Sequence, residues 1–225
     1  MKSIQQHITE RLQLNKDRVK KIIYKYFPET KEELQDIIKQ RIKEEGNECD
    51  LNDIDVSNIT EMHHLFWQSK FNGNISKWDV SKVIDMEFMF YESKFNQDIS
   101  NWNVSKVKYM KSMFSNSNFN QDISNWDVSN VEYMNYMFNN SEFNQDISKW
   151  DISNVKDMIS MFSFSKFNQD ISNWNVSNVL YMNDMFRSSK FNQDISKWDV
   201  SNVKDMTKIF YNSTLEGKEK EWWNK

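Results

Sequence analysis

The sequence predicts an α/β solenoid: seven stacked coils of 24 residues, each a short helix plus a short parallel strand, behind a helical N-terminal cap. Three observations carry this reading. Trp78, Trp102, Trp126, Trp150, Trp174 and Trp198 recur every 24 residues, with Ile54 in the same slot one interval earlier. The apolar residues inside each interval fall first at helical and then at alternating spacing. A helix start signal stands just ahead of the first interval.

Residues 1–53 read as the N-terminal segment and cap. Ile8, Leu12, Val19, Ile22 and Ile23 suggest one or two helices ending at Pro28. Thr30-Lys31-Glu32-Glu33 is a capping box, and Leu34, Ile37, Ile38 and Ile42 follow at helical spacing until Gly46 stops the helix. Units then begin at 54, 78, 102, 126, 150, 174 and 198, so the repeat region is 54–215.

In the second unit Val83, Met86, Met89 and Phe90 fall at i, i+3, i+6 and i+7, the spacing that gathers side chains on one face of a short helix. Ser81 stands where a hydroxyl caps that helix. Phe95, Gln97 and Ile99 alternate as a strand does, Trp102 and Val104 alternate in the opposite phase, and a corner near Ser100-Asn101 reconciles the two. In the last unit Ile209 replaces a Met and Leu215 a Phe, and residues 216–225 leave the pattern as a C-terminal cap in which Trp222 or Trp223 folds back over the final coil.

A single coil cannot stand alone. Fixing each residue costs roughly 1–2 kcal/mol, whereas each of the large apolar side chains returns about 1.5–3 kcal/mol only when fully buried. Burial on that scale needs a coil above and a coil below. Extended segments of successive coils are then expected to pair as a parallel sheet about 4.8 Å apart, giving a stack roughly 35 Å long.

Composition narrows the function. The chain is 38% hydrophobic, 28% charged and 15% aromatic, with three Gly and one Pro, so Asn, Asp and Ser must make the turns. A net charge of -4 argues against a general nucleic-acid grip. Residues 1–25 nevertheless carry Lys2, Arg11, Lys16, Arg18, Lys20, Lys21 and Lys25 against Glu10 and Asp17, a solvated face or the contact of a regulatory adaptor. Cys49 is the only cysteine and reads as a small buried hydrophobe. The first residues lack the apolar core of a signal peptide and no run is long enough to span a bilayer, so the chain is expected to stay in the cytoplasm without inserting into a membrane.

Comparing the copies with one another separates scaffold from free positions. The Asn at 72, 96, 120, 144, 168 and 192 reads as a hydrogen-bonded ladder. Asp98, Asp122, Asp146, Asp170 and Asp194 form a second column, either accepting backbone N–H groups of their own turns or holding cations such as calcium. Free slots on the outer side are rich in aromatics: Tyr109, Tyr133 and Tyr181 in one column, Phe88 and Tyr136 in another, Trp67, Tyr91 and Tyr211 in a third. Such a surface is expected to meet a protein partner, unless the rings pack sideways on neighbouring coils.

No catalytic constellation, cofactor motif or metal cluster is expected. His63 and His64 are adjacent and diverge, His7 is remote, and the carboxylates recur with the repeat as scaffolding does.

The unit D-V-S-N-V-x-x-M-x-x-M-F-x-x-S-x-F-N-Q-D-I-S-x-W resembles the repeat of BspA-like leucine-rich-repeat surface proteins over about residues 31–215. The segment from Glu32 to Lys43 leading into Asp50–Asn58 resembles their N-terminal cap. The resemblance implies a right-handed leucine-rich-repeat-like solenoid that binds proteins. It also implies the alternative of a cell-surface or adhesive role, reached by an unrecognised export route. Oligomerisation through the Trp222-Trp223 end is compatible with each reading.

Overall fold

The computed structural model describes residues 23–223 together with Gln13 and Lys16. The proposed helices over 1–22, His7 and most of the basic cluster lie outside the described residues. Helix α1 spans Lys31–Glu45. Thr30, extended at φ -127°, caps it by accepting from the Glu33 N–H at 3.2 Å. Gly46 closes its far end at φ +89°, donating its N–H to the Ile42 carbonyl. Leu34 and Ile38 of α1 enter one core that continues through all the units. Buried Arg41 ties the helix to the loop between it and the first unit, donating to Glu45, Asp53 and the Asp50 carbonyl, with its guanidinium 5.3 Å from the Tyr26 ring.

Each unit then lies against the next in register. Glu61, Asp85, Tyr109, Tyr133, Asp157, Tyr181 and Asp205 are linked in sequence by parallel bridges between residues 24 apart. Around this column the expected short helix is absent, and three overlapping turns replace it. In the second unit the N–H groups of Met89, Tyr91 and Ser93 donate back three residues, at 3.2 Å each. The alternate N–H groups of Met86, Phe88, Phe90 and Glu92 donate instead to Tyr109, Lys111, Met113 and Ser115 of the next unit, at 2.9–3.0 Å. A helix is about 10–12 Å wide and keeps its N–H groups to itself. Units whose equivalent Phe rings sit 5.5–5.8 Å apart leave no room for one.

Turns of this kind need residues at positive φ, which a chain with three Gly must supply otherwise. Among the described residues, fourteen non-glycine residues, two per unit, sit at φ +48° to +60°, including Phe88, Tyr136 and Phe164. Each conformation costs on the order of 1 kcal/mol, sustained by the packing around it.

The inward positions match the spacing in the sequence. Val83, Met86, Met89, Phe90, Phe95, Ile99 and Trp102 are all buried, as are their equivalents in the other central units. Phe90 stacks on Phe95 of its own unit at 4.3 Å and on Phe114 of the next at 5.5 Å, while Trp78 and Trp102 lie parallel at 6.4 Å. Each of the repeated indole N–H groups has a fixed acceptor 27 residues earlier, Trp102 donating to the Ile75 carbonyl at 3.1 Å. That bond is repeated by Trp126, Trp150, Trp174 and Trp198, so these large rings bury no unmet donor.

Extended segments do not form the expected parallel sheet at Phe95–Ile99. There the units are stitched by side chains, the Asn96 N–H donating to the Asn72 amide oxygen at 2.8 Å and so on up the column to Asn192. Ser81 likewise caps no helix, because its N–H donates to Asp79 in a tight Asx turn. The second acidic column behaves in the same way, with Asp98, Asp122, Asp146, Asp170 and Asp194 each accepting from the Ser two residues on at 2.8–2.9 Å.

Gly73 breaks the Asn-Gln-Asp pattern for a steric reason: a β-carbon there would lie 2.0 Å from the Cys49 carbonyl of the loop after α1. At the other end α2, Lys218–Trp223, sets Trp222 and Trp223 against Phe210, each with ring centroids at 5.9 Å.

The packing and the turns are each open to test. Met134→Ala, at a fully buried position, should cost roughly 2–5 kcal/mol in chemical denaturation; a cost below about 0.5 kcal/mol would mean that the inward face is misassigned. The backbone N–H bonds hold the Asp98, Asp146, Asp170 and Asp194 carboxyls below the usual range. They therefore contribute stability above the unfolded-state pKa near 4, which is lost as pH falls through the folded value. Asn74 makes the same turn without a titrating group. Replacing all four Asp by Asn should keep the fold at neutral pH and shift the acid unfolding midpoint downward, whereas an unchanged midpoint would contradict this.

Candidate interaction surface

Variation between units concentrates on the turn ladder, the face that runs from the Glu61–Asp205 column through the positions two to seven residues later. The outward aromatics of that face form three groups rather than one patch. At the N-terminal end the Phe88 ring stacks on His64 at 4.8 Å and meets Tyr91 edge-on at 5.8 Å, and Trp67 meets His64 edge-on at 6.1 Å. In the middle Tyr109 and Tyr133 stack at 5.5 Å and 15°. Tyr136, in the same unit as Tyr133, stands 37% exposed. Towards the C-terminal end Arg187 lies between two rings, 5.8 Å from Phe164 and 5.4 Å from Tyr211.

Tyr181 is separated from the stacked pair because Asp157 occupies the intervening unit of its column. Sideways packing and exposure thus coexist: Phe88, Tyr91 and Tyr133 are half-buried, while Trp67, Tyr109, Tyr136, Tyr181 and Tyr211 keep a large open face. Two exposed apolar residues escape the sequence reading, Phe164 on this face at 52% and Ile84, one residue before Asp85 of the column, at 41% exposure. Column comparison could have found Phe164, since the equivalent positions carry Gln68, Glu92, Asn116, Asn140, Ser188 and Asn212. It is also a bulky ring held at φ +57°.

Between units two and five the face forms a shallow cleft of about 290 Å³ lined by Glu87, Tyr109, Lys111, Tyr133, Asn135 and Asp157. Burial, with the neighbouring Asp85 adding repulsion, pushes the Glu87 carboxyl above its ordinary range; burial does the same to Asp157. Lys111 lies over the Phe88 ring at 5.6 Å.

His63 and His64 pack within the structure. His63 Nε2 is 2.5 Å from the Lys31 ammonium, linking α1 to the first unit, and its ring is turned 88° from that of His64. Burial beside His63 and Lys31 pulls the His64 pKa down. Cys49 is buried, which raises its thiol pKa. Among the described residues no group of three His, Cys, Asp or Glu is placed to hold a metal ion. The rings of Trp222 and Trp223 are half-buried against the last unit, which leaves less of them for contact between molecules.

The strain at Phe164 is testable. Phe164→Asn puts a residue that tolerates positive φ at an exposed site, and should raise stability by up to about 1 kcal/mol in denaturant titration; a clear loss would show that the ring carries packing energy.

Residues 33–142 and 139–224 match the model of a family described as Mycoplasma protein of unknown function, DUF285. No curated protein and no solved structure matches the chain. With both matches together running from the start of α1 to the end of α2, the chain belongs to the DUF285 family.

Proposed function

We propose that the chain is a right-handed leucine-rich-repeat-like solenoid of the BspA-like kind, and that it works as a non-catalytic module binding another protein on its turn-ladder face. The observation that carries this reading is the contrast between columns. Inward positions are nearly identical from unit to unit, as stacking demands, whereas the turn-ladder face varies between units and includes Tyr109, Tyr136, Phe164, Tyr181 and Tyr211 with large exposed rings. Tyr and Trp supply much of the energy of protein interfaces at low entropic cost. The bulky rings at Phe88, Tyr136 and Phe164 also occupy a backbone conformation that suits Asn or Gly better. A surface that keeps exposed aromatics against backbone preference has a use for them.

Catalysis has little to build on, because the carboxylates recur with the repeat, and most Asp side chains of the repeat region are engaged in Asx turns. A cell-surface or adhesive role is the second reading, favoured by the BspA-like repeat. No helix among the described residues is long and apolar enough to cross a membrane. An adaptor role for the basic N-terminal segment concerns residues that are largely outside those described.

Replacing Tyr109, Tyr133 and Tyr181 together by Ser should lower stability by about 1 kcal/mol, the worth of one aromatic pair, while abolishing partner capture in pull-downs from the source cells. Retained capture, or unfolding of the variant, would contradict the proposal.

A further inference from the structure

We infer that the cleft lined by Glu87, Tyr109, Lys111, Tyr133, Asn135 and Asp157 is a receptor for an arginine side chain presented by a basic protein segment. The inference rests on the protein-binding reading and names the chemistry of the partner at one point of that surface.

Charge complementarity selects the occupant. The residues lining the cleft include two carboxylates, Glu87 and Asp157, and one cation, Lys111, with Asp85 two residues before Glu87 adding repulsion. Neither Glu87 nor Asp157 has an ion-pair partner within 4.0 Å among the described residues, in contrast to Glu132, which pairs with Lys108 and Lys156 one column away. Asp157 spends one oxygen on the Ile159 N–H at 2.9 Å, and Asp85 spends one on the Glu87 N–H at 2.8 Å. The second Asp157 oxygen and the Glu87 carboxylate are left to accept, while the second Asp85 oxygen lies 3.4 Å from His63 Nδ1. Partial burial of unneutralised carboxylates is unfavourable in the free protein, so an incoming cation gains more here than at an open surface.

The aromatic component narrows the cation further. Tyr109 and Tyr133 are stacked and both line the cleft, Tyr109 with 38% of its surface exposed. A planar guanidinium can stack on such rings and still direct its N–H fork to a carboxylate, which a compact ammonium cannot do at once. The Asn135 side chain, half-buried in the same cleft, adds an amide oxygen as a neutral acceptor. A carboxylate-bearing segment would meet like charge.

The test uses the full chain and a fluorescein-labelled peptide of alternating arginine and glycine, with a glutamate-glycine peptide of equal length as the opposite-charge probe. Fluorescence anisotropy should show binding of the arginine peptide alone. Glu87→Gln with Asp157→Asn should weaken it about tenfold, as loss of close charge pairs does. Asp79→Asn with Asp127→Asn removes the same net charge at exposed positions outside the cleft and should leave affinity unchanged. Amide shift changes in the unsubstituted protein should centre on Lys111 and Asn135, a readout that does not depend on any variant folding. Absence of arginine-peptide binding, equal weakening by both pairs of substitutions, or shift changes centred elsewhere would overturn the inference. If the triple Tyr variant loses its protein partner while the arginine peptide never binds, the surface reading stands and this one fails. If the peptide binds in the cleft while the triple variant keeps its partner, the reverse holds.

Discussion

Sharing of backbone N–H groups between neighbouring units is the constraint on which the rest of this molecule depends. In each turn ladder before the last, every second donor closes a turn within its own unit and the alternate donors reach the next one. No unit can therefore satisfy its backbone alone, and none can bury its Met, Phe and Trp side chains alone. The Asn ladder and the indole N–H bonds apply the same rule with side chains, always to a residue about one unit away. Close spacing comes with this arrangement, and it forces residues such as Phe88 and Tyr136 into a left-handed conformation that their side chains disfavour.

The ends are shaped by the same constraint. A stack leaves unpaired rows at its first and last coils, and each end departs from the repeat where a cap meets it. Gly73 stands where other units have Gln because the Cys49 carbonyl passes too close for any side chain. Arg41 crosses from α1 to Asp53, and Trp222 and Trp223 close over Phe210.

Much of this is legible in the sequence because burial leaves a period. Val83, Met86, Met89 and Phe90 read as the inward face from their spacing, and all are buried. The element that carries them is not legible, since a chain of overlapping turns brings residues inward at the same three- and four-residue intervals as a helix does. Only the spacing between coils separates the two, and that is a property of the stack rather than of one unit. For the same reason the strand expected at Phe95–Ile99 gives way to a ladder of Asn side chains, which composition shows but whose partner it does not. On the outer face, Tyr109 and Tyr133 can be paired from their shared column. The Arg187 contacts with Phe164 and Tyr211 cross columns and cannot.

Interdependence of the units is tested most directly by deleting one of them. Removing residues 126–149, one whole unit, should leave a chain that unfolds cooperatively, with the near-ultraviolet circular dichroism of stacked indoles retained, because the 102 and 150 units can then meet in register. Removing only residues 126–137 puts Trp, Phe and Asn columns out of register and should abolish both signals. Two deletions that behaved alike, whether both folded or both collapsed, would contradict the account.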